Sequence, residues 1–141
     1  MKHLTRIALG SCLAVLAGCS MELVREHPLG CRLDEQRMIR DTLYFGQSIA
    51  GGEAVSTEDW NRFLETRVIA TFPQGFSVFD ARGYWSAAQA RPERETSRVV
   101  VAVHLPGSAI DAAVRELVAE YERRFHQQSV LRERNTVCAK F

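Results

Sequence analysis

The 141 residues of this chain suffice for one domain and fall short of two. Hydrophobic residues at 46% and charged residues at 25% exclude a disordered or collagen-like chain, and 18 Lys plus Arg against 17 Asp plus Glu exclude a strongly basic nucleic-acid binder. Four cysteines, at positions 12, 19, 31 and 138, are too few and too scattered for a disulfide-dense mini-protein or a zinc knuckle.

The chain opens on a basic head, Lys2, His3 and Arg6, followed by an apolar run from Ile7 to Ala17. At about 1.5 Å per residue this run falls well short of a hydrocarbon core of about 30 Å. It therefore reads as a secretory signal peptide over residues 1–18 and not as a transmembrane helix. Its end, Leu16-Ala17-Gly18-Cys19, resembles the lipobox of bacterial lipoproteins, in which the cysteine is acylated and the chain is cleaved before it. Cys19 is thus the expected lipidation site, and the membrane is the expected partner through that anchor. Several acyl chains on one cysteine hold firmly where a single chain binds only marginally. Ser20, a residue other than Asp after the anchor, favours the outer membrane over the inner, by resemblance to lipoprotein sorting in many Gram-negative bacteria.

Residues 19–39 carry Pro28, Gly30 and mixed charge with little periodicity, and read as a lipidated tether. The folded domain is expected over 40–141. Asp41 to Ile49 is rich in β-branched and aromatic residues and predicts a first strand, broken at Gly51-Gly52. Ser56 stands three residues before Asp59 as a capping-box-like start, with Val55 and Trp60 as a hydrophobic staple. Trp60, Phe63, Leu64 and Val68 then recur at helical spacing, so a helix is expected from about 57 to 69. Phe72-Pro73-Gln74-Gly75 is a turn, Phe76 to Ala81 a second strand, and Gly83 a bend or bulge. Ser86 to Arg94 reads as a loop, and Ser97 to Leu105 is the strongest strand. Ser108 is placed to cap a second helix whose apolar stripe is Ile110, Val114, Leu117, Tyr121 and Phe125. A last strand is expected from Val130 to Lys140.

The order strand, helix, strand, strand, helix, strand predicts an α+β, ferredoxin-like (βαββαβ) domain, with two helices on one face of a four-stranded antiparallel sheet. Alternation divides the third strand into Val99, Val101, Val103 and Leu105 on one side and Arg98, Val100, Ala102 and His104 on the other. A strand apolar on both sides usually has both sides covered. The side bearing Val100 and His104, joined by Tyr44, is the second face, expected to be covered by a partner subunit, a ligand or the 82–95 segment bearing Tyr84 and Trp85 folded back. With Asp80, Glu95 and Arg98 these residues make up the candidate ligand or interface face. The plainer reading is that Asp80 is a turn residue, that Arg94 and Glu95 are a solvated loop pair, and that His104 is a strand-end histidine.

No two of His27, His104, His126, Cys31 and Cys138 stand at ligand spacing, so no metal is expected. Nucleophile-elbow, Walker and Gly-x-Gly-x-x-Gly motifs are absent, and no cofactor or catalytic residue is assigned. Once Cys12 leaves with the signal and Cys19 takes lipid, Cys31 and Cys138 remain. The ends of the first and last strands lie together in the expected topology, so these two are expected to pair in an oxidising compartment. A buried unpaired Cys138 with a reduced Cys31 is the alternative.

Several stretches resemble one bacterial envelope family, the domain of unknown function 3574. They are Leu43-Tyr44-Phe45-Gly46, Val55-Ser56 with Trp60 and Phe63, and Phe72-Pro73-Gln74-Gly75-Phe76-Ser77-Val78 on through Asp80, Gly83 and Trp85. Arg94-Glu95, Gln128-Ser129-Val130-Leu131 and Val137-Cys138 extend the similarity over residues 40 to 141. The resemblance implies a small periplasm-facing domain, often on a lipoprotein, and brings no activity with it. Two functions fit. The favoured one is a non-catalytic binding or assembly module with a homodimer or an envelope protein as partner, and no nucleic acid. The other is a small dimeric α/β-barrel-like enzyme or carrier with a pocket on the second sheet face.

Overall fold

The computed structural model describes residues 30–49, 52–85 and 91–141; the expected signal peptide, Cys19 and most of the expected tether lie outside them. Four strands, β1 (Gln36–Gly46), β2 (Ser77–Trp85), β3 (Glu93–His104) and β4 (Leu131–Ala139), form one antiparallel sheet in the order β2-β3-β1-β4. Since β3 runs antiparallel to both β1 and β2, the first helical crossover joins two parallel strands with β3 between them. The second crossover joins β3 to β4 across β1 in the same way.

Helix boundaries follow local chemistry. The first helical segment starts at Thr57 behind Ser56, whose hydroxyl oxygen accepts from the Asp59 amide at 3.0 Å and donates to the Asp59 carboxylate at 2.7 Å. It runs as α-helix over Thr57–Phe63, passes through a π-helical turn at Leu64–Val68 and closes over Ile69–Thr71. Phe63 and Val68 are five residues apart and both fully buried, a spacing the wider π turn brings onto one face. The second helix spans Ser108–Arg124. Its N-cap is Gly107 without a side-chain cap, so Ser108 is its first helical residue and not the expected cap.

Three strands differ from expectation in length. β1 begins at Gln36, so the folded unit reaches back into the stretch read as tether. There, Cys31 is buried and forms a disulfide with Cys138, with Cα atoms 5.4 Å apart. β2 runs through Gly83 to Trp85 with no bulge there, and β3 begins at Glu93, inside the stretch read as loop. Residues 86–90 and the Gly51 position lie outside the described residues.

The core lies between the sheet and both helices. Leu43 and Phe45 of β1 and Val100 and Ala102 of β3 meet Trp60, Phe63 and Val68 of the first helical segment. Val114, Leu117, Tyr121 and Phe125 line the second helix and its end. The Phe45 ring stands edge-on to Tyr121 (centroids 4.7 Å apart) and to Phe63 (5.9 Å), the arrangement the ring quadrupoles favour. Each such side chain contributes about 1.5–3 kcal/mol by leaving water. The Tyr121 hydroxyl donates to the Gly46 carbonyl at 2.8 Å and accepts from Gln47 Nε2 at 2.9 Å, so its polar tip is satisfied inside the core. Burial pushes the Tyr121 phenol up, keeping it the protonated donor.

Candidate functional site

Residues directly opposite in an antiparallel pair share a face. Leu43 stands opposite Val100, and Tyr44 opposite Val99. The register therefore assigns Arg98, Val100, Ala102 and His104 to the helix-covered side, and Val99, Val101 and Val103 to the open side with Tyr44. This reverses the expected assignment of β3, although Tyr44 itself lies on the open face as expected. Val100 is fully buried and His104 is 7% exposed, because both point into the layer beneath the helices. The strand is apolar on both sides because one side is core and the other, where Val99 is itself buried, has no helix over it among the described residues.

On the open face, Phe79 stands opposite Val99 and Leu131 opposite Tyr44. With Val101, opposite Thr42 and Ser77, they form an apolar strip across all four strands. Phe79 is 56% and Leu131 54% exposed, while Tyr44, Val101 and Val103 are half-buried. Polar groups rim the strip. The Tyr44 hydroxyl donates to Glu133 at 3.1 Å, and that bond raises the phenol's pKa by favouring its protonated form. Glu95 shares this face at the Gly46 end; burial raises its pKa, opposed by a hydrogen bond with the Ser48 backbone. A Cβ at Gly46 would stand against the carboxylate end of the flexible Glu95 side chain, which would have to shift to admit it.

The other candidates scatter. Asp80 lies opposite Arg98 on the helix side of the sheet and forms an ion pair with it. Tyr84, 76% exposed, is near the end of β2, opposite Arg94. Trp85 ends that strand. The eight candidates thus do not form one site.

His104 instead joins a buried ionic network that the sequence reading missed. Its Nε2 lies 3.0 Å from Asp41 Oδ2 and its Nδ1 2.8 Å from the Leu105 carbonyl oxygen. The fully buried Asp41 carboxylate also accepts from Arg132 Nε at 2.9 Å and Nη2 at 2.8 Å. Arg132 reaches on to Asp111 at 2.9 Å, where Arg134 donates at 2.6 Å and Arg115 also pairs. Burial opposes the Arg132 charge, but hydrogen bonds to Asp41 and Asp111 outweigh it and raise its pKa. The network ties β1, β3 and β4 to the first turn of the second helix. With both Asp41 oxygens and both imidazole nitrogens engaged, it works as a fastener, not as a poised acid–base pair. Among the described residues no cluster of His, Cys, Asp or Glu is arranged to hold a metal, and no helix is long and apolar enough to cross a membrane.

Residues 40–141 match the family model described as "Protein of unknown function (DUF3574)". The chain belongs to this family. The DUF3574 match starts within β1, four residues after the strand begins at Gln36. No curated protein matches the chain. Two solved structures of a phage SAM lyase are similar in fold. The complex with S-methyl-5'-thioadenosine has a TM-score of 0.56 at 16% identity, and the apo state has 0.54 at 17%. Each match covers 74% of this chain and 90% of the lyase chain. At such identity the likeness is one of fold alone.

Proposed function

We propose that this DUF3574 chain is a lipoprotein of the bacterial envelope, acylated at Cys19 and facing the periplasm from the outer membrane. Its ferredoxin-like domain is a non-catalytic binding or assembly module. From the β4 edge the strand order reads β4-β1-β3-β2 with βαββαβ connectivity, which fits that split-βαβ arrangement. The Cys31–Cys138 disulfide supports an oxidising compartment, where such bonds persist. The observation that carries the binding role is the sheet face away from the helices: the exposed Phe79 and Leu131 and the half-buried Val101 lie around the buried Val99, with no helix over them among the described residues. An apolar strip rimmed by Tyr44, Glu133 and Arg40 has the make-up of a protein-docking surface.

A second reading, a small α/β-barrel-like enzyme or carrier, is kept by the same face, on which two sheets packed together would enclose a pocket. The phage SAM lyase shows that an enzyme is built on a similar fold. His104 is not available to that reading, because it lies on the opposite side of the sheet.

Fractionation tests the anchor: Cys19→Ala is expected to leave the membrane pellet for the soluble fraction, and its retention after a high-salt wash would contradict lipidation. Native mass spectrometry of the detergent-extracted protein separates the two functions. A protein partner that Val101→Glu removes supports docking; a small molecule carried by the wild type and lost in that variant supports the enzyme or carrier.

A further inference from the structure

The sheet ends on two edges. β4 carries Arg132, Glu133 and Arg134 in succession, the kind of charge that keeps an edge from pairing. β2 is different: Val78, Phe79 and Tyr84 are 37%, 56% and 76% exposed, and its outer backbone has no strand beside it among the described residues. It also holds a glycine that none of the described residues requires. Gly83 sits within the strand without a positive φ, and a Cβ there would meet no atom within 4 Å. Glycine weakens a strand, and in such a place it marks the close approach of another group.

We infer that β2 pairs antiparallel with β2 of a second copy of this chain about a two-fold axis at Ala81, joining two four-stranded sheets into one of eight. The segment is complementary to its own reverse. With Ala81 opposite its own copy, Asp80 stands opposite the partner's Arg82, and symmetry repeats the pair. Phe79 then faces the partner's Gly83, leaving room for the ring to lie across bare backbone. Val78 faces the partner's Tyr84, an apolar pair of the kind that stabilises adjacent strands. Moving the axis to Asp80 or to Arg82 sets like charges directly opposite, so charge disfavours both neighbouring registers, and only the axis at Ala81 pairs Asp80 with Arg82. Arg98 takes Asp80 Oδ1 within the chain; Asp80 is 77% exposed, and its Oδ2 has no partner among the described residues. A two-fold axis through a residue position keeps each face with itself, so the helices of both copies lie on one side and the open faces join on the other. The edge shares Phe79 with the open-face strip, but the backbone pairing needs no occupant on that face and is tested without one.

Sedimentation of the full chain in detergent, combined with amide hydrogen exchange, tests the pairing. The wild type is expected to dimerise with slowed exchange in β2. Arg82→Asp sets Asp80 against an aspartate twice over and is expected to weaken the dimer about tenfold or more. Adding Asp80→Arg to Arg82→Asp exchanges the charges and is expected to restore it. Gly83→Val, whose side chain meets nothing in the single copy, is expected to give a folded monomer with unchanged circular dichroism. A monomeric wild type overturns the inference. So does a dimer indifferent to Arg82→Asp, a charge-exchanged double variant that folds but stays monomeric, or β2 amides that exchange equally fast in wild type and Arg82→Asp.

Discussion

Asp41 is a fully buried carboxylate held by Arg132 and His104, and removing it leaves Arg132 with Asp111 alone and the His104 Nε2 buried without its partner. Asp41→Ala is expected to cost about 3–5 kcal/mol in urea denaturation. Asp80→Ala, which breaks an exposed pair with Arg98, is expected to cost no more than about 1 kcal/mol. A smaller loss at Asp41 than at Asp80 would contradict the network's role. Asp111 adds a pH signature: hydrogen bonding to Arg132, then to Arg115, with Arg134 nearby, holds its carboxyl below the usual carboxylate range. A folded-state pKa below the unfolded one contributes stability that is full above the ordinary carboxylate range. That contribution is lost as pH falls through the folded value. Asp111→Asn is therefore expected to flatten the acid side of a plot of urea midpoint against pH, and an unchanged slope would count against the pairing. The sequence reading missed this network although Asp41 alternates with the apolar Leu43 and Phe45 along its strand, which is the one signal that could have marked it. Its partner Arg132 was not legible, because Arg132 lies 91 residues away and only strand register brings it near.

At the scale of elements, register decides which β3 residues are core. Alternation alone separates Val100 from Val101 without saying which side the helices cover, and an apolar residue at every step from Val99 to Val103 removes the contrast that would have said so. The Leu43–Val100 pairing settles it. Val100→Glu buries a charge in the core and is expected to unfold the domain, whereas Val101→Glu is expected to leave the circular dichroism spectrum unchanged. The opposite pattern would reinstate the reversed faces. The strand ends were readable by contrast, because antiparallel pairing of β1 with β4 sets Cys138 opposite Arg37, and Cys31 folds back onto it. The bridge closes a loop with a sequence separation of 107, and a loop of about 100 residues contributes up to about 4.7 kcal/mol in the chain-entropy model. Cys31→Ser with Cys138→Ser is expected to lower the guanidinium midpoint accordingly, and an unchanged midpoint would make the bridge incidental.

For the whole molecule, six elements in order were enough to foresee one sheet with two helices, since short crossovers leave few topologies. The sequence did not show that no helix lies over the opposite face among the described residues, because an open apolar face and a covered one have the same alternation. That open face is the centre of the functional reading: a membrane-tethered domain that works through its open sheet surface. A photoreactive residue placed in living cells at Val101 or Leu131, on that face, or at Glu65, on the exposed side of the first helical segment, tests it most directly. Covalent adducts to an envelope protein from positions 101 and 131, and none from 65, are the expected result. Adducts from position 65 alone would contradict it.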